Sequence, residues 1–256
     1  MKKIVKNLYL IFIAFFAFSA CDMFRIDNYD GPNTSFNGKI LDEVTNELVP
    51  TDVRNGSHFL LQEDGYRAGT RTKIIHQNGE FRDDMFFAGT YNLEFESCNF
   101  YPFKVEKLVI GKGNHTQDFK VKPYIRVKNA SIRLEGTEIV ATFNLQAGDP
   151  EVRLNHIRLY ASYDIYVGDQ FTSITPQRTV TDDYQSPIFE QSFSNIVIDE
   201  SVQYTLKIDL TNTTNKNTFK YQQDYYFRIG AMAAVSGVGT IRRNYAQHTI
   251  INFKAP

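Results

Sequence analysis

The sequence has no tryptophan and only two cysteines, Cys21 and Cys98. It contains no Gly-x-Ser-x-Gly elbow, so a hydrolase nucleophile of that kind has no support. No His-Glu-x-x-His pair is present, and His58, His76, His115, His156 and His248 are scattered, so a metal site is not expected. Charge of one sign is also lacking: the formal net charge is −1. Nucleic-acid binding needs a basic face and is excluded on that ground. The one long apolar run, Leu8 to Phe18, is shorter than the roughly 20 residues that a membrane-spanning helix needs. The aspartate pairs Asp83-Asp84 and Asp182-Asp183 read as turn residues rather than as the two acids facing across a cleft that a glycosidase needs. Asp27, Asn28 and Asp30 read as turn formers too, because their spacing fits no calcium loop. No catalytic residue, no metal and no cofactor is expected, and the chain is read as a non-enzyme.

What is there begins with Lys2, Lys3 and Lys6, the apolar run, and Phe18-Ser19-Ala20-Cys21. A basic segment, a hydrophobic segment and a small-residue cleavage site make a secretory signal. The last four residues read as a lipobox, with Cys21 as the lipidated residue. Residues 1–20 are then the signal peptide and residues 21–33 a polar tether. Loss of the signal removes three lysines and no acids, which moves the formal charge from −1 to −4. Cys98 is left without a partner, so no disulfide is expected and the residue reads as a small buried hydrophobe.

From Thr34 onward the pattern is short strands. Ser35 to Leu41 alternates, His58 to Gln62 and Arg71 to His76 are extended, and Asn78-Gly79 signals a hairpin turn. Tyr91, Leu93 and Phe95 share one face of the next strand. Gly38, Asn78-Gly79-Glu80-Phe81 and Phe87-Ala88-Gly89-Thr90-Tyr91-Asn92-Leu93 resemble the carboxypeptidase regulatory-like, or transthyretin-like, domain. That resemblance implies a β-sandwich over residues 34–122. Pro123 marks a boundary. Beyond it, Ile139, Ala141, Phe143 and Leu145 alternate, Leu154 to Tyr163 is a long strand, and Phe171 to Thr179 is read as another. Asn212 to Asn217 reads as a polar loop, and Gly237-Val238-Gly239 as a hairpin. Tyr225-Tyr226-Phe227-Arg228-Ile229-Gly230-Ala231 resembles the penultimate strand of a fibronectin type III domain. By that resemblance Tyr225 forms a tyrosine corner and Phe227, Ile229 and Ala231 face the core of a second sandwich, residues 123–256. The expected fold is therefore all-β, two tandem β-sandwiches, transthyretin-like and then immunoglobulin/fibronectin-III-like.

From Cys21 through Asp27-Asn28-Tyr29-Asp30-Gly31-Pro32-Asn33 to the Gly89-Thr90-Tyr91 strand, the chain resembles the two-domain Bacteroidetes lipoproteins of domain-of-unknown-function family 3823. The resemblance implies an outer-membrane, lipid-anchored protein, displayed on the cell surface and associated with SusC/SusD-like glycan uptake proteins. It supplies no site residues. Aromatic residues make up 14% of the chain, including 15 tyrosines. A tyrosine ring can stack on a sugar face while its hydroxyl stays solvated. Tyr160, Tyr163 and Tyr166 lie at and after a strand end, beside Asp164 and Asp169, and Tyr184 lies in a polar loop. Tyr163, Tyr166 and Tyr184 are the candidate glycan-binding residues, for a polysaccharide or oligosaccharide. The other reading is a structural or assembly module that binds a partner membrane protein without touching sugar.

Overall fold

The computed structural model describes residues 31–66, 69–173 and 189–256. Cys21 and Tyr184 lie outside the described residues. Sixteen strands and one short helix form two sandwiches in series among the described residues. In the first, β1 (Thr34–Asp42) pairs with β4 (Glu80–Phe86), β7 (Gly113–Thr116) and β8 (Phe119–Val121). Opposite it lies a sheet of order β3-β2-β5-β6, built from β2 (His58–Glu63), β3 (Arg71–Ile74), β5 (Gly89–Phe95) and β6 (Phe103–Ile110). β1 alternates strictly, with Phe36 and Ile40 buried, as a strand with one solvated face should. The core between the sheets is aromatic: Phe36, Phe59, Phe81, Phe86, Tyr91, Phe95 and Phe119 form one continuous cluster. Tyr91 packs 4.8 Å from Phe86 of the opposite sheet, and its hydroxyl donates to the Phe87 carbonyl at 2.9 Å. Cys98 is fully buried; desolvation pushes its thiol up to about 12, and its Sγ–H donates to the His58 carbonyl.

The second sandwich has a three-stranded sheet, β13 (Gln203–Asp209), β10 (Glu138–Ala147) and β9 (Ile125–Glu135), in that order. Its partner sheet runs β12 (Glu190–Val197), β11 (Arg153–Ser162), β14 (Gln223–Ala234), β15 (Asn244–Tyr245), and β16 (Thr249–Phe253) also pairs with β14. The tyrosine corner is present: the Tyr225 hydroxyl donates to the Tyr221 carbonyl at 3.0 Å. Phe227, Ile229 and Ala231 are buried beside it, as the resemblance implies.

The structure departs from the sequence reading at several points. Asn78-Gly79 makes a tight turn, with Gly79 at φ 92°, but it is not a hairpin. It carries the chain from β3 in one sheet to β4 in the other. Asp83 and Asp84 sit within β4 rather than in a turn. Asp83 pairs with Lys73, while Asp84 accepts from Ser35 at 2.7 Å and from Arg82 at 2.8 Å. The polar segment at 212–217 is helical as α1 (Thr213–Thr218). Asn212 caps it by accepting from the Thr214 amide at 2.9 Å, and Asn215 turns inward to donate to the Asp209 carbonyl at 2.7 Å. Side-chain amides therefore replace the apolar periodicity that would have announced a helix. Of the strand expected over Phe171 to Thr179, residues 171–173 are irregular and the remainder, like Asp182-Asp183, lies outside the described residues. The loop after β14 is longer than a hairpin turn and returns at β15.

Candidate functional site

The β11–β14 sheet is covered on both faces. Phe227, Ile229, Leu159 and Ala161 face the second core, while Tyr160, Arg228 and Tyr245 face the first domain and are also buried. At this junction the Arg228 guanidinium, 1% exposed, donates to Ala246 O at 2.9 Å. It also donates across the domain boundary, to Thr51 O at 2.8 Å and Gln77 O at 3.1 Å. Burial lowers its pKa to about 10, which still leaves it charged at neutral pH. It lies 4.2 Å from the centre of the Tyr245 ring, and the Tyr245 hydroxyl donates to Asp52 at 2.8 Å. Asp52 also accepts from the Asp169 amide at 2.7 Å. The two buried charges are thus matched through a tyrosine rather than by direct contact. Asn99 donates to Pro50 O at 2.8 Å, and its own carbonyl accepts from Asn244 at 2.8 Å. A junction with this many buried hydrogen bonds holds one relative placement of the two domains, because a displaced domain would strand buried polar groups.

This fixed junction shapes a groove of about 360 Å³ between the domains. One wall is the turn from the first domain, with Ile74, His76, Asn78 and Glu80. The other wall is Ile165 and Tyr166, with Gln247 and His248. Tyr166 is 52% exposed. Its loop is held by two bonds: the Tyr166 amide donates to Asp164 Oδ1 at 3.2 Å, and the Ser162 hydroxyl accepts from the Asp164 amide at 3.1 Å. Gln77 reaches over from the first domain to donate to the Ile165 carbonyl at 2.9 Å. Asn78 and Glu80 bond to each other at 2.9 Å. His248 is held below the ordinary histidine range by burial and then by the nearby Arg228 charge. A ring face beside amide and carboxylate groups is the chemistry that a sugar's apolar face and hydroxyls require.

Of the residues predicted from sequence, Tyr166 lines the groove. Tyr163 is 70% exposed on the same loop but does not line it. Tyr184 lies outside the described residues. Tyr160 is buried and its hydroxyl donates to Asp169, so its ring faces no ligand. Asn78, Gln247 and His248 were not legible as site residues. Asn78 carried a turn signal, and only the docking of the second domain brings it opposite Tyr166. A second interdomain groove of about 390 Å³, beside the buried Asp42–Arg126 ion pair, offers no exposed ring, since its tyrosine is the buried Tyr245. His58 lies opposite Ile74, and among the described residues no three His, Cys, Asp or Glu side chains converge as a metal site requires.

Residues 34–122 match the profile described as the N-terminal domain of a protein of unknown function (DUF3823), and residues 125–247 match the domain of unknown function DUF3823_C. A solved structure from Bacteroides uniformis ATCC 8492, described as a "putative carbohydrate binding protein", is 43% identical, with a TM-score of 0.80 over 87% of this chain and 100% of that one. DUF3823 family proteins from Bacteroides ovatus ATCC 8483 and Parabacteroides merdae ATCC 43184 are each 19% identical, with TM-scores of 0.65 over 86% and 87% of this chain and the whole of theirs, which shows the shared fold. No curated protein matched the sequence. With both family domains present in order and a relative this similar along its full length, the chain belongs to the two-domain DUF3823 family.

Proposed function

We propose that the chain is a non-catalytic glycan-binding lipoprotein. It is anchored in the outer membrane through Cys21, displayed at the cell surface, and works beside SusC/SusD-like uptake proteins. The observation that carries the glycan reading is Tyr166, half exposed on the wall of a groove that sets aliphatic side chains beside amides, a carboxylate and imidazoles. The description of the 43% identical relative as a "putative carbohydrate binding protein" supports it. The acids of the tyrosine loop are engaged structurally: Asp169 with Tyr160 and Arg243, and Asp164 with its own loop. That arrangement suits recognition rather than bond cleavage, which needs two acids facing the scissile atom.

The chain from Gly31 onward is suited to the test, because the solved relative folds with 87% of this chain matched over its whole length. In native gels containing polysaccharides, at least one neutral polysaccharide should retard this chain. Tyr166→Ala should abolish the retardation with thermal unfolding unchanged, and Tyr163→Ala should weaken it less. Retardation by none of a broad panel would remove the glycan reading. The protein-partner reading would then follow from the exposed edge strand β12, where Val197 is open to solvent. Protease shaving of intact cells that spared the protein would contradict surface display.

A further inference from the structure

We infer that the ligand is a neutral, linear oligosaccharide longer than a disaccharide, running from the domain junction along the open side of the first sandwich. This rests on the glycan reading of the groove. A second depression, about 220 Å³, shares Ile74 and His76 with the interdomain groove, so the two lie side by side. It lies between β3 and β4, which are edge strands of the two facing sheets. Its base is apolar, formed by the buried rings of Phe59 and Phe81. Its rim is polar, with Thr72, Lys73, Arg82 and Asp83. The sequence of surfaces from one depression to the next is therefore a ring at Tyr166, then imidazole and aliphatic groups at His76 and Ile74, then hydroxyl and charged groups over apolar carbon. A chain of sugar rings presents the matching alternation of C–H faces and hydroxyl edges, and a single ring would leave the second compartment empty. Both compartments together fall in the size range of small-molecule sites, about 300–1,000 Å³.

The charges decide between neutral and acidic sugars. Lys73 is paired with Asp83, and Arg82 is bonded through Nε to both oxygens of Asp84, at 2.8 and 2.9 Å. Both cations are thus already balanced by a carboxylate, so neither adds net positive charge for a uronate or a sulfate, while the Nη groups of Arg82 remain open to donate to a sugar hydroxyl. Glu80 adds a negative charge to the adjoining compartment, which disfavours an anionic ligand further.

The test is calorimetric titration of the chain from Gly31 with neutral cello-, xylo- and malto-oligosaccharides of one to six units, beside an oligogalacturonate series. In the series that binds, affinity should rise beyond the disaccharide by about tenfold, a step of 1.4 kcal/mol, before reaching a plateau. The double variant Thr72→Ala/Arg82→Ala, checked for unchanged thermal unfolding, should flatten that rise. A plateau already reached with a mono- or disaccharide would overturn the inference, as would a length dependence untouched by the double variant or a preference for the galacturonates. Polysaccharide retardation that depends on Tyr166 but comes with such a plateau would sink this inference alone. Absence of any glycan binding would sink the glycan reading and this inference with it.

Discussion

His156 shows how a single buried side chain couples the fold to pH. Its Nδ1 lies 3.0 Å from Arg243 Nη1, which can only donate, so the imidazole must present a bare nitrogen there. Burial first, and then the charges of Arg243 and Arg158, lower its pKa to about 4, against a weaker opposing pull from Asp169. Glu190 lies 3.8 Å from the other ring nitrogen. In the unfolded chain the same group takes up its proton near 6.5. Between about 4 and 6.5 the unfolded state therefore binds more protons, and stability falls as pH is lowered through that window. His248, also lowered by burial, acts in the same direction. Urea midpoints measured from pH 7 to pH 4.5 should decline in the native chain and decline less in His156→Gln. Equal slopes in the two proteins would show that His156 is not the group responsible.

At the scale of the strand, Gly38 is needed for close approach rather than for an unusual backbone angle. A Cβ at this position would sit 1.8 Å from the Gln117 carbonyl oxygen and 2.7 Å from the Phe81 ring. Gly38→Ala must push β1 off the segment that leads into β8, and overpacking of this kind costs about 1–3 kcal/mol. Thermal unfolding should drop accordingly, and an unchanged midpoint would mean that the crossing is looser than described. This position also shows what could be read beforehand. The glycine, the alternation of β1, the Tyr91 strand and the Tyr225 corner all declare themselves locally, through period-two patterning or a short motif. The helix α1 does not, because it rests on the side chains of Asn212 and Asn215 rather than on a hydrophobic face. Asn78-Gly79 announced a turn, but nothing local says that the turn joins two sheets instead of two paired strands.

For the whole molecule, the decisive feature is that the outer face of the β11–β14 sheet is not outside. Strand alternation correctly puts Tyr160 and Arg228 opposite the second core, and sequence alone gives no sign that the first domain covers that face. The groove inherits the same limit: Tyr166 could be singled out by its type and loop, whereas Gln247, His248 and Asn78 become neighbours only through docking. Buried ion pairs in general add little net stability, yet removing one member strands the rest at about 3–5 kcal/mol. Arg228→Ala leaves the Thr51 and Gln77 carbonyls without this donor and Asp52 without its opposing charge. Calorimetry should show the native chain unfolding in one transition and Arg228→Ala unfolding in two, as the domains lose their coupling. A single, unshifted transition in the variant would contradict the rigid junction. The central claim, that this junction builds a glycan groove around Tyr166, is tested most directly by native gels of the native chain and Tyr166→Ala against a polysaccharide panel. Retardation of the native chain by a neutral polysaccharide, lost in Tyr166→Ala at unchanged thermal stability, is the predicted result. No retardation of the native chain, or retardation that survives the substitution, would contradict it.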